Sequence, residues 1–147
     1  MATPQAVGTS RWLAPEIINP SRGCNGTPIT ETKPGDVFSF AMLAVEVFTG
    51  RVPFAEERNE SVARRVSDGD RPKMPGDARQ AGLTNEMWKF LESCWQQDPN
   101  KRPTIEEVVM RWQRFVDHDG DGDGDVFTEY VQFASSGPVF GSILTLL

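Results

Sequence analysis

The sequence predicts a mainly α fold, on three observations. Residues 37–48, Val-Phe-Ser-Phe-Ala-Met-Leu-Ala-Val-Glu-Val-Phe, are apolar almost all the way round a helical wheel. Two later runs, opened by Thr84 and Thr104, repeat their apolar residues at helical spacing. Gly, Pro and Asn gather in the stretches between, where turns belong.

Residues 1–7 read as a ragged start, and residues 17–35 as a loop marked by Asn19-Pro20, Gly23, Asn25-Gly26 and Pro34-Gly35. A helix is expected from Asp36, a favoured N-cap type, to Thr49. Gly50 supplies its C-terminal cap, and Pro53 prevents continuation. A helix apolar on every face is buried on every face, so this one is expected to be the central element. A short helix follows near Glu60–Ser67, then a loop through Pro72 and Pro75 to Gly82. Thr84 caps the next helix, in which Met87, Trp88, Leu91, Cys94 and Trp95 share one side. Asp98-Pro99 ends it. Thr104 and Glu107 form a capping box, in which the glutamate bonds back to the Thr104 N–H. Ile105, Val108, Val109, Trp112 and Phe115 make the inner stripe of that last helix. No internal repeat is apparent.

Composition narrows the function. The chain has 147 residues, an apolar fraction of 38%, four Trp and nine Phe, which suits a packed core rather than a disordered chain. A net charge of −6 argues against nonspecific nucleic-acid binding, which needs clustered Lys and Arg. Much of that charge is local: Asp117, Asp119, Asp121, Asp123, Asp125 and Glu129 stand close together. Cys24 and Cys94 show neither a C-x-x-C spacing nor a neighbouring His, a pattern that fits a reducing compartment better than a disulfide or a zinc site. No signal peptide is read at the N-terminus. The apolar tract at 37–48 falls short of the about 20 residues that span a bilayer. A soluble, cytoplasmic protein without membrane or nucleic-acid partners is expected.

Three motifs carry the function. Residues 8–16 read Gly-Thr-Ser-Arg-Trp-Leu-Ala-Pro-Glu, residues 32–41 read Thr-Lys-Pro-Gly-Asp-Val-Phe-Ser-Phe-Ala, and residues 98–104 read Asp-Pro-Asn-Lys-Arg-Pro-Thr. In this order they resemble the protein kinase family. The first is similar to the end of a kinase activation segment, the second to the start of the long central helix, and the third to the stretch holding a buried arginine. The resemblance covers residues 8–116 and implies a partial protein-kinase-like fold: a helical C-lobe fragment without the N-lobe or the catalytic loop. The wording around Trp12 and Cys94-Trp95 is most similar to the tyrosine-kinase-like group of Ser/Thr kinases.

The resemblance implies roles residue by residue. Glu16 and Arg102 match a buried ion pair that clamps the activation segment onto the helical lobe. Arg offers a planar fork suited to a carboxylate, and breaking a buried pair costs about 3–5 kcal/mol. As two surface charges they would contribute about 0–1 kcal/mol. Asp36 matches an aspartate that anchors the catalytic loop through backbone N–H groups; the alternative is a plain N-cap. Gly8, Thr9 and Trp12 match the loop that faces the protein substrate. Phe38 departs from the usual Trp, and Ala41 from the usual Gly.

Phosphoryl transfer from ATP further requires a phosphate-covering glycine loop, a strand lysine, a base aspartate and Mg²⁺-holding groups. His118 is the only histidine, so no His-Arg-Asp loop is present, and there is no Asp-Phe-Gly. Gly120, Gly122 and Gly124 alternate strictly and do not match G-x-G-x-x-G. Lys33, Lys73, Lys89 and Lys101 all fall inside the stretch that resembles the helical lobe, with no Val-Ala-Ile-Lys strand before them. ATP and Mg are implied for the parent family, and no cofactor or catalytic residue is expected for this chain alone. Its expected role is the substrate-facing loop, clamp and scaffold of a Ser/Thr kinase. The alternative is a non-catalytic remnant that docks on another protein, or self-associates, through an uncovered apolar face of the central helix.

Residues 117–147 form an acidic, Asp/Gly-rich tail and a short apolar end. Asp117, Asp119 and Asp121 are weak metal candidates: counted from Asp117 they occupy positions 1, 3 and 5 of an EF-hand loop, with Gly122 at position 6. Position 12 is Thr128 instead of Glu, so the site does not close. A solvated acidic tail is the plainer alternative.

Overall fold

The computed structural model describes residues 10–19 and 32–118, with side chains up to residue 115. Along this stretch run α1 (Pro15–Ile18), α2 (Lys33–Thr49), α3 (Asn59–Ser67), α4 (Asn85–Cys94), a 3-10 turn (Pro99–Lys101) and α5 (Ile105–His118). No strand occurs among the described residues, so the fold is mainly α.

Thr32, not Asp36, opens the longest helix. The Thr32 side chain accepts from the Gly35 N–H at 3.0 Å, and Pro34 sits in the first turn, where its missing N–H costs nothing. Asp36 is therefore not the cap. It is an exposed first-turn carboxylate, favourably placed against the positive end of the helix dipole. The helix ends at Gly50, whose φ of 63° is the left-handed conformation glycine adopts without strain.

Burial of α2 is one-sided, where the sequence had suggested burial all round. Val37, Phe38, Ala41, Met42, Ala44 and Val45 are buried. Phe40, Leu43 and Val47, which share the opposite stripe with Asp36, are only half-buried. α2 packs against α4 and the Pro99–Lys101 turn, while α1 packs against α3. Val62 and Val66 of α3, Leu83, and Leu91 and Cys94 of α4 are all closed to solvent. Each such aliphatic side chain contributes about 1.5–3 kcal/mol by burial.

The short helices follow the expected chemistry. Thr84 caps α4 through the Met87 N–H, and Trp95 caps its C-terminus, edge-on to Trp88 at 5.3 Å between ring centroids. The capping box of α5 is reciprocal: the Thr104 N–H donates to Glu107 at 2.8 Å and the Glu107 N–H donates to Thr104 at 3.3 Å. The inner stripe of α5 is narrower than its sequence pattern. Val108 is 2% exposed, but Val109, one position round the helix, is 61% exposed beside Met110. The chain divides into two compact units, Met1–Val108 and Val109–Leu147, with the division inside α5. No described helix is long and apolar enough to cross a membrane.

Candidate functional site

Residues 11–16 form a short strap along α2. Ser39 donates its hydroxyl to the Trp12 carbonyl at 2.8 Å, and the Trp12 indole N–H donates to Glu46 at 2.9 Å. Ser39 and Glu46 stand two turns apart on one side of α2, so the strap is registered along the helix axis. Ala14 is fully buried, and its carbonyl accepts from Ile17 and Ile18 to start α1. Pro15 fits the first position of that turn.

Glu16 then points inward from the first turn of α1. Its two oxygens accept from Arg102 Nη1 and Nη2 at 2.7 and 2.9 Å, across 86 positions of sequence. Both residues are more than nine-tenths buried. Arg102 also donates to the Pro34 carbonyl at 2.8 Å and, through Nε, to the Gln96 carbonyl at 2.8 Å. The pair is thus bidentate and saturated by backbone oxygens from two further elements, which is the geometry that makes a buried ion pair tolerable.

A second arginine, unmarked in the sequence, shares this corner. Arg71 lies over the Phe38 ring at 4.9 Å, and Arg102 lies over the same ring at 5.1 Å. Arg71 donates to the carbonyls of Trp95, Val66 and Asp70 and to the Gln97 side chain. Burial, then the Arg102 charge, push the Arg71 guanidinium down to about 10, with Glu16 opposing. It stays charged at neutral pH. Phe38 is fully buried and serves both cations with its ring face.

Arg11 is buried as deeply as Arg102, and no motif assigns it a role. It is 7% exposed and reaches from the start of the strap to the α2–α3 connection. No carboxylate marks its partners, which are mostly backbone carbonyls, so residue types gave no signal for it.

The described residues bring together Trp12, Glu16 and Arg102 on the surface of α2. Asp36 stays apart, exposed in the first turn. Gly8, Thr9, Asp119 and Asp121 lie outside the described residues, and Asp117 is placed only as backbone near the end of α5. Among the described side chains no group of three or more His, Cys, Asp or Glu converges to hold a cation.

Residues 2–112 match the family model of the protein tyrosine and serine/threonine kinases. The chain belongs to the protein kinase family. It is 39% identical to a light-sensor protein kinase of Ceratodon purpureus, over 71% of this chain and 8% of that protein. It is 35% identical to the RGS domain-containing serine/threonine-protein kinase A of Dictyostelium discoideum, over 75% of this chain and 9% of the relative. Against the serine/threonine-protein kinase VIK of Arabidopsis thaliana the identity is 34%, over 73% of this chain and 22% of the relative. The chain thus spans less than a quarter of the length of these curated relatives.

The helical, strand-free scaffold of the described residues is consistent with a kinase C-lobe fragment, and Glu16–Arg102 ties residues 14–16 to it. Kinases act with ATP and Mg²⁺. All four lysines (Lys33, Lys73, Lys89 and Lys101) stand exposed on the scaffold. Among the described residues no cluster of three or more acidic, His or Cys side chains is gathered beside them to hold Mg²⁺.

Proposed function

We propose that this chain supplies the substrate-facing segment and helical scaffold of an ATP-dependent Ser/Thr protein kinase of the tyrosine-kinase-like group, and that alone it transfers no phosphate. The observation that carries this reading is the strap: residues 11–16 are held along α2 by Trp12 at one point and by the buried Glu16–Arg102 pair at another. Gly8-Thr9, just ahead of this strap in sequence, match the loop by which a kinase receives a substrate hydroxyl. The transfer itself needs the glycine loop, lysine and aspartates of phosphoryl transfer, and the sequence carries none of these motifs.

Two assays test the two halves. The purified chain, given Mg²⁺, radiolabelled ATP and a generic Ser/Thr substrate, is expected to show no transfer above background; clear labelling would overturn that half. A chimera in which residues 8–116 replace the matching stretch of the VIK kinase is expected to retain Ser/Thr phosphorylation. A folded but inactive chimera would remove the substrate-facing role.

A second reading, a docking module that pairs with a second copy of itself, is favoured by one observation. Leu43 and Val47 of α2 are only half-buried, although α2 is otherwise the core of the fold.

A further inference from the structure

Arg11 is buried against oxygen dipoles without a carboxylate bonded to it. Its Nε donates to Asn59 Oδ1, its Nη1 donates to the carbonyls of both Pro53 and Phe54, and its Nη2 donates to the Glu57 carbonyl, each at 2.7 Å. Only a planar guanidinium reaches all four acceptors from one stem; an ammonium has three donors around a point. The acceptors belong to residues 53–59, the connection between α2 and α3.

That connection has an unusual backbone. Phe54 has φ 56°, the described non-glycine residue with a positive φ, and a bulky side chain there is strained by about 1–2 kcal/mol. The carbonyls on both sides of the Phe54 Cα turn onto the same Arg11 nitrogen. The Glu57 N–H closes the turn on the Phe54 carbonyl at 2.8 Å. Outside the turn, Arg65 of α3 lies over the Phe54 ring at 5.5 Å and pairs with the Glu57 carboxylate. The oxygens of the turn face inward to Arg11, and Val52, Ala55, Glu56 and Arg58 are left exposed.

We propose that Arg11 is a positioning residue: its guanidinium templates the 53–59 turn and locks it beside the strap, so that the turn and the Ser10–Trp12 segment form one rigid protein-binding surface. The binding part of this statement rests on the substrate-facing reading of that segment; the templating part does not. Strain at Phe54 persists because four charge-assisted hydrogen bonds over-determine the turn. The strap is then pinned by arginines at both ends. Arg11 reaches out from its start to the carbonyls of the turn, and Arg102 reaches in to its end at Glu16.

The test is amide hydrogen exchange on the full chain carrying Arg11→Ala or Arg11→Lys. Both variants are expected to speed exchange of the Glu57 amide and its neighbours in the turn by about ten- to hundredfold, while the α4 amides stay protected. Millimolar ethylguanidinium is expected to restore protection in Arg11→Ala, and ethylammonium at the same concentration is not. Unchanged exchange in the turn, or full protection in Arg11→Lys, would overturn the templating role. If Arg11→Ala unfolds the whole chain, Arg11→Lys decides. In the VIK chimera, Arg11→Lys is expected to raise KM for a protein substrate several-fold with kcat little changed. An inactive parent chimera would defeat the substrate-facing reading and leave the exchange result standing. A chimera with unchanged KM but a loosened turn would overturn the binding half of the proposal.

Discussion

Glu16 shows how much one side chain depends on its partner. Its carboxylate is buried against Arg102, whose remaining N–H groups bond the carbonyls of Pro34 and Gln96. Removing the carboxylate leaves a buried guanidinium with two bonds unmade. Glu16→Ala is therefore expected to lower stability by about 3–5 kcal/mol in urea unfolding. Replacing both partners with apolar residues of similar volume, Glu16→Leu with Arg102→Met, is expected to recover much of that loss. A loss under about 1 kcal/mol for Glu16→Ala would mean the pair behaves as a surface bridge. This pair was legible in the sequence because each member sits in a recognisable motif. Arg11 and Arg71 were not: their partners are mostly carbonyl oxygens, which every residue carries, so residue types leave no trace of the contact.

At the scale of the element, α2 shows where local signals compete. Asp36 and Thr32 are both good N-cap types, and the residues between them include Pro34 and Gly35, which the sequence reading assigned to a loop. Proline in a first turn is compatible with helix, so the helix begins earlier and Thr32 takes the cap. Gly35 suits the crowded approach of α1, since an added Cβ there would stand 2.7 Å from the Ile17 side chain. Thr32→Ala is expected to cost about 1 kcal/mol, as cap removals do. Asp36→Ala is expected to cost a few tenths to about 1 kcal/mol through the helix dipole, and that smaller loss should shrink further in high salt. Thermal unfolding of the two variants checks the order; a larger loss for Asp36→Ala would return the cap to Asp36. Other element ends were readable because their chemistry is local: Thr84, the Thr104–Glu107 box and Gly50 act within one turn of themselves.

At the scale of the whole molecule, the uneven burial of α2 is the consequential feature. A sequence apolar on every face states what the helix tolerates, while neighbours decide what is covered. α4 and the Pro99–Lys101 turn cover one side, and Leu43 and Val47 on the other keep partial access to solvent. Apolar surface left in water contributes about 25 cal/mol per Å² once covered, which favours association. Sedimentation velocity is expected to show dimer growing with concentration, and Val47→Glu is expected to abolish it. A monomer at all concentrations would leave no support for the self-docking reading.

The sequence by itself determined the helical class, the order of α2 to α5, the caps at Gly50, Thr84 and Thr104 and the family, because periodicity and capping are local and the three motifs are distinctive in order; α1 runs into the stretch read as loop from residue 17. It also pointed to Glu16 and Arg102 as partners. The tertiary structure alone decided which face of α2 is covered, that Val109 stands outside the inner stripe of α5, and that Phe38 lies beneath two guanidinium groups. It also decided that Arg11 meets the carbonyls of a strained turn. Each of these depends on which backbone atoms and side chains from distant segments arrive at one place, and no residue type records that arrival.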